Sequence, residues 1–263
     1  GERIAGLAIT EPGAGSDVSA VTTRAIKDGD DYLLTGTKLY VTSGVRADQL
    51  TVLARTGPDP HAGLTFFVVE AGSEGYAVSR ALKKTGWRAS DTAEISLDSV
   101  RVPASNRLGE EGSGFLCLMQ TFLGERLGLA TLGYATAEIC LDEALRYAQQ
   151  RETFGKAIAK HQVIRHKLAH MSTQVLAAKT LTYQCAAMSK AGACGPAEIA
   201  MTKNFAAEVA REVSHEAVQI FGGMGYMRET LVERFSRDAR LLSIGGGTTE
   251  IMNEIIAKCI LPR

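Results

Sequence analysis

The periodicity of the chain changes near Gly114, and that change restricts it to two differently built parts. Before it, short segments rich in β-branched residues recur: AGLAIT, AVTTRAI, YLLTGTKLYVT, LTVLART, LTFFVVEA and AEISLDSVRV. Turn chemistry separates them, as in KDGDD, TGPDPHAG and EAGSEG, because glycine, proline and aspartate favour chain reversal. The pattern predicts an antiparallel β domain over residues 1–107, a barrel or sandwich. Pro103 and the stretch NRLGEEGSG mark its end. Beyond them apolar residues follow a period of about 3.6, the helical one. Helices are predicted over 112–150, 158–191, 196–221, 227–241 and 248–260, punctuated by Gly155, by GACGP and by FGGMG. Long helices joined by short loops suggest a four-helix-bundle-like domain over 108–263. The expected class is therefore α+β.

Charge and cysteine usage narrow the function. The 29 basic and 29 acidic residues cancel, so bulk charge draws the chain neither to nucleic acid nor to an anionic membrane. Five cysteines (117, 140, 185, 194 and 259) show no CxxC or Cys/His ligand spacing. They read as reduced, structural thiols of an intracellular protein, with no metal site. No apolar run is long enough to span a bilayer, and no signal peptide is visible. The chain starts at GERIAGLAIT, already strand-like and without an initiator methionine, so it is expected to be a piece of something longer.

The segment LLSIGGGTTEIMNE, residues 241–254, sets three glycines before a helix. Thr248 or Thr249 can cap that helix, with Glu250 as an acid in its first turn. Bare N–H groups beside a helix N-terminus can cradle an anion. The same pattern also serves as an ordinary glycine helix stop.

Four spaced motifs resolve the alternative: AITEPGAGSD (8–17), GWRASDTAEISLDSVRVP (86–103), RETFGKAIAKHQ (151–162) and QIFGGMGYMRETLVERFSRD (219–238). Together they resemble the acyl-CoA dehydrogenase family, which oxidises acyl-CoA thioesters with FAD. The resemblance covers the whole chain and lacks only the family's N-terminal helical domain. It implies that Thr10 lies beside the flavin ring. Ser16 resembles the residue that reaches a cofactor phosphate, and it is assigned to the substrate as well. Gly13 and Gly15 let the backbone come close. Tyr40 takes the place of an aromatic near the isoalloxazine, often tryptophan in the family, and Thr42 that of a hydroxyl bonding it. Arg151, Phe154 and Gln162, with Gln219, Gly222 and Gly223, are implied to serve the FAD of a neighbouring subunit. Thr248 and Glu250 are assigned to the cofactor, although a first-turn acid also suits a structural role. Phe122, Arg126 and Gly246 are assigned to the substrate. Phe115, Leu118 and Met119 either line its pocket or belong to the helix core.

In many members the position matching Gly246 is the glutamate that removes the substrate's α-proton. Glycine cannot take a proton, so a carboxylate elsewhere must. Glu125, in FLGERLGLATLG, has Thr121, Phe122, Gly128 and Leu129 as helical neighbours, none of them basic. Partial burial there would raise its pKa towards the range useful to a general base. Isovaleryl- and long-chain-type relatives carry their base at this position, in a Glu–Arg pair like Glu125–Arg126. The glycines at 124, 128 and 133 cost helix stability unless something packs close. The implied activity is FAD-dependent α,β-dehydrogenation of an acyl-CoA, as in fatty-acid β-oxidation, with an electron-transfer flavoprotein as acceptor. The implied assembly is a soluble homotetramer, a dimer of dimers, in a bacterial cytoplasm or a mitochondrial matrix. The alternatives are an acyl-CoA oxidase or flavin monooxygenase of the same fold, or a catalytically silent flavoprotein scaffold.

Overall fold

The computed structural model describes residues 1–261. The chain forms two compact units that divide between Thr121 and Phe122. The first is built on one sheet: β1 (Ala5–Ala8), β2 (Arg24–Asp28), β3 (Asp31–Thr42), β4 (Gln49–Arg55), β5 (Leu64–Glu70), β6 (Tyr76–Ala81), β7 (Thr92–Pro103) and β8 (Arg107–Leu108). The path runs β6-β7-β3-β2-β4-β5-β8, with β1 on β4. Most neighbours are antiparallel, as expected. The exceptions lie on one edge of β4, where β1 pairs in parallel with residues 49–52 and β2 meets Arg55. Such pairing is open to them because no tight hairpin joins these strands to β4.

The sheet does not close into a barrel, which corrects the barrel alternative. Its path ends in β6 and β8, and neither end suits closure. β8 has two residues, and β6 is exposed along almost its whole length. Inside, alternation places Tyr32 and Leu34 of β3 with Leu50 and Val52 of β4 in a shared core. Tyr32 lies against Phe67, ring centroids 4.8 Å apart, close enough for a favourable aromatic pair.

The second unit is helical, with α1 (Gly114–Gln150, begun before the division), α2 (Gln162–Lys190), α3 (Pro196–Phe221), α4 (Leu231–Ala239) and α5 (Thr249–Ile260). Between α1 and α2 a small hairpin pairs β9 (Glu152–Thr153) with β10 (Lys156–Ala157). α3 starts sharply because Pro196 suits the first turn and Glu198 accepts the Gly195 N–H at 2.9 Å. Small residues let the helices approach. A Cβ on Gly133 of α1 would lie 2.7 Å from the Ala206 carbonyl oxygen of α3. Cys140, Met171, Val175, Val209 and Val213 fill the space between α1, α2 and α3. Among the described residues, no helix is long and apolar enough to cross a membrane.

Candidate active site

The glycine loop before α5 is held from behind by two cations. Arg126 of α1, 5% exposed, donates from Nε to the Gly246 carbonyl at 2.9 Å. Lys203 of α3, fully buried, donates from Nζ to the Gly247 carbonyl at 2.7 Å. Thr248 caps α5, its hydroxyl accepting the Ile251 N–H at 3.3 Å. Gly246 and Gly247 both have positive φ, 66° and 103°, a region other residues enter only at a cost. The N–H groups of Gly246, Gly247 and Thr248 make no hydrogen bond among the described residues.

Glu125 lies on the same side of α1 as this loop. A Cβ added to Gly246 would sit 3.8 Å from Glu125 Oε1 and 2.5 Å from Leu129 Cδ1. Positions 125 and 246, remote in sequence, therefore address one small volume. Glu125 is exposed by surface area and has no hydrogen bond or close ion pair among the described residues. Its carboxyl is nonetheless raised above the usual range by partial burial, against the opposing pull of Arg126 and Lys203. Glu250 behaves in the opposite way. It is exposed, and its own N–H and the Thr248 hydroxyl hold its carboxyl below the ordinary value. Phe122 packs its ring 5.3 Å from the Arg126 guanidinium, within cation–π range.

In the first unit a buried ion pair shapes the TEPGAGSD loop. Lys38 Nζ bonds Glu11 Oε1 at 2.8 Å and the Ile9 carbonyl at 2.9 Å. Glu11 also accepts the N–H groups of Thr22 and Thr23 and the Thr22 hydroxyl, all within 2.9 Å. Burial pushes the Glu11 carboxyl up, but Lys38 and the threonine donors outweigh it and hold it at about 2. Burial takes Lys38 down to about 8, with Glu11 resisting. The loop so anchored carries Thr10 and Ser16, neither with a side-chain hydrogen bond among the described residues. At Gly13 and Gly15 a Cβ would meet nothing within 4 Å.

Tyr40 stands on β3 where the register with β7 shifts between Lys38 and Val41. That bulge gives it φ 58° and turns it out of the sheet core, 66% exposed. Thr42, two residues on, is exposed as well. Asp91, from the GWRASD motif, fixes the turn beyond Thr42 by accepting the Val45 N–H at 2.8 Å.

The residues assigned to a neighbour's FAD lie on exposed parts of the helical unit, whereas Leu118 of the pocket-or-core candidates is buried and Phe115 and Met119 are half-buried. Arg151 follows α1, and Phe154 caps the β9–β10 hairpin at 96% exposure with φ 52°. Gln162 opens α2, Gln219 lies near the end of α3, and Gly222 and Gly223 form the turn after it. Sequence reasoning missed Lys203, Lys38 and Glu11. A lysine in EIAMTKNFAAE reads as a solvated helix charge. Only the helical phase that Lys203 shares with Ile199, Ala200, Ala206 and Ala207, all buried as it is, could have marked it.

Comparison with known proteins identifies the family. The family model for the acyl-CoA dehydrogenase middle domain matches residues 6–100, and that for the C-terminal domain matches residues 112–261. Cyclohexane-1-carbonyl-CoA dehydrogenase of Geobacter metallireducens is 41% identical over 98% of this chain and 68% of its own. The mitochondrial long-chain specific acyl-CoA dehydrogenase of Sus scrofa is 40% identical over 99% of this chain and 61% of its own. The crystal structure of a probable acyl-CoA dehydrogenase from Mycobacterium abscessus superposes with a TM-score of 0.98 at 53% identity, covering 99% of this chain and 69% of that one. The chain thus spans 61–69% of the length of these relatives. Fold and sequence agree, and the chain belongs to the acyl-CoA dehydrogenase family.

Proposed function

We propose that the chain carries the base and the cofactor residues of an FAD-dependent acyl-CoA dehydrogenase, which converts an acyl-CoA thioester to a trans-2-enoyl-CoA. The observation that carries this reading is the placement of the Glu125 carboxylate 3.8 Å from where a side chain at Gly246 would begin. Glu125 takes the substrate's α-proton on its carboxylate, whose raised pKa suits it to that task. The loop N–H groups, Gly246 first among them, are free to polarise the thioester carbonyl. Arg126 holds that loop through the Gly246 carbonyl.

The residues present fit FAD. In the first unit Thr10, Ser16 and Thr42 offer hydroxyls without a partner among the described residues. Tyr40 presents an exposed ring, and Gly13 and Gly15 leave open space for a close approach. FAD, when bound, supplies the acceptor for the β-hydrogen as hydride. In the second unit Thr248 serves the cofactor, whereas Glu250 acts on the first turn of α5. Arg151, Phe154, Gln162, Gln219, Gly222 and Gly223 serve the FAD of a neighbouring subunit in a homotetramer. An electron-transfer flavoprotein is the electron acceptor.

Anaerobic titration of the flavin-loaded protein with a panel of acyl-CoA thioesters tests the reading. Bleaching of the flavin by at least one saturated acyl-CoA is expected, with slow reoxidation by oxygen. Retained flavin that no acyl-CoA bleaches would make the protein a silent scaffold, and rapid oxygen consumption would make it an oxidase.

A further inference from the structure

Lys203 is a buried ammonium with an unusual set of neighbours. It makes no ion pair among the described residues, and its one described acceptor is the Gly247 carbonyl. Burying a charge without a close counter-charge is costly, so a purely structural site would more readily hold an apolar side chain. The charged groups that face it are Arg126 and Glu125 from α1 and Glu250 from α5. Burial lowers its pKa to about 8, Arg126 pushes the same way, and the two carboxylates oppose them. It therefore remains charged at neutral pH.

Peptide geometry turns this into a directional device. In a trans peptide the C=O and the following N–H point in opposite directions. The Gly246 carbonyl is turned to Arg126 and the Gly247 carbonyl to Lys203. The N–H groups of Gly247 and Thr248 consequently point away from the cations. A carbonyl that accepts from a cation also makes the N–H of the same peptide a stronger donor.

We propose that Lys203 is a positioning residue for proton abstraction: set behind the glycine loop beside Arg126, its ammonium fixes the Gly247–Thr248 peptide and sets a positive charge facing the Glu125 carboxylate. The inference rests on the reading of Glu125 as the base. The positive potential also favours the negative charge that grows on the thioester oxygen as the α-proton leaves.

The test uses the flavin-loaded protein carrying Lys203→Gln, which keeps a donor but not the charge, and Lys203→Arg, which keeps both. Lys203→Met repeats the measurement should the glutamine variant not fold. Loss of a nearby positive charge raises a carboxyl pKa, so the acidic limb of the flavin-reduction pH profile should move upward in Lys203→Gln, by about half a pH unit or more. Reduction by acyl-CoA should slow by roughly tenfold, with a smaller change in acyl-CoA affinity. Amide exchange over 244–252 should quicken in Lys203→Met. Lys203→Arg should keep the wild-type profile. An unshifted profile in the neutral variants, or an equal shift in Lys203→Arg, overturns the proposal. Glu125→Gln separates the two readings. If it reduces flavin at the wild-type rate, both fall; if it is silent while Lys203→Gln has a wild-type profile, only this inference falls.

Discussion

At Gly246 the backbone has φ 66°, and the Leu129 Cδ1 lies 2.5 Å from the place a Cβ would take. A glutamate there must displace Leu129 and adopt a left-handed conformation, at a cost of about 1–2 kcal/mol. Glu125→Gln should keep flavin and bind acyl-CoA while flavin reduction falls by about 10²–10⁴-fold, the usual loss for a general base. Adding Gly246→Glu alone should recover little, and adding Leu129→Ala with it should recover more. Stopped-flow reduction of the three variants measures this. Wild-type reduction in Glu125→Gln, with a silent Glu250→Gln, would sink the assignment. The candidate base could be named from the sequence because the resemblance expects a glutamate at position 246 or in a Glu–Arg pair like Glu125–Arg126, and position 246 is glycine. The clamp was not. Arg126 and Lys203 meet the loop only across 120 and 44 residues, and a local pattern carries no record of such a meeting. The Glu11–Lys38 pair was hidden for the same reason.

Elements with one buried face were the easiest to read. β3, β4, β5 and β7 alternate or run apolar, and the five helices fall within the predicted segments. β6, YAVSRA, was missed because it is an exposed edge strand whose side chains follow no burial pattern. The glycines of α1 divide by their surroundings. Gly133 faces the Ala206 backbone, with its carbonyl oxygen 2.7 Å from a Cβ, whereas Gly124 and Gly128 have nothing within 4 Å. Gly133→Ala should therefore destabilise the protein by about 1–3 kcal/mol, as overpacking does. Gly128→Ala should stabilise it by about 0.4–1 kcal/mol, because alanine restricts the unfolded chain and suits a helix. Thermal or urea unfolding of the two variants checks the opposite signs. Equal effects would mean that α1 and α3 are not packed as described.

Phe154 and Gly155 both have positive φ, 52° and 74°, between the paired strands β9 and β10. Two such residues make the turn that asparagine–glycine fills best, and phenylalanine is a poor choice there. Phe154 is also 96% exposed, with an edge contact to the His161 ring at 6.2 Å. A strained, exposed aromatic is unfavourable for the single chain and makes sense if something outside the chain covers it. In the proposed tetramer that partner is the neighbour's FAD and the surface around it, which Arg151 approaches from the same segment. Phe154→Asn should then act with opposite signs on two readouts. Thermal stability of the flavin-free protein should rise, since Asn-Gly relieves the turn, while flavin retention should fall. Arg151→Ala should weaken flavin retention by about 1.5–3 kcal/mol through loss of a charge-assisted contact, with little effect on flavin-free stability. Equilibrium dialysis for flavin, light scattering for assembly and thermal melts separate these effects. If both variants hold flavin as tightly as the wild type, the hairpin has no part in the cofactor site, and the strain at Phe154 must serve another contact.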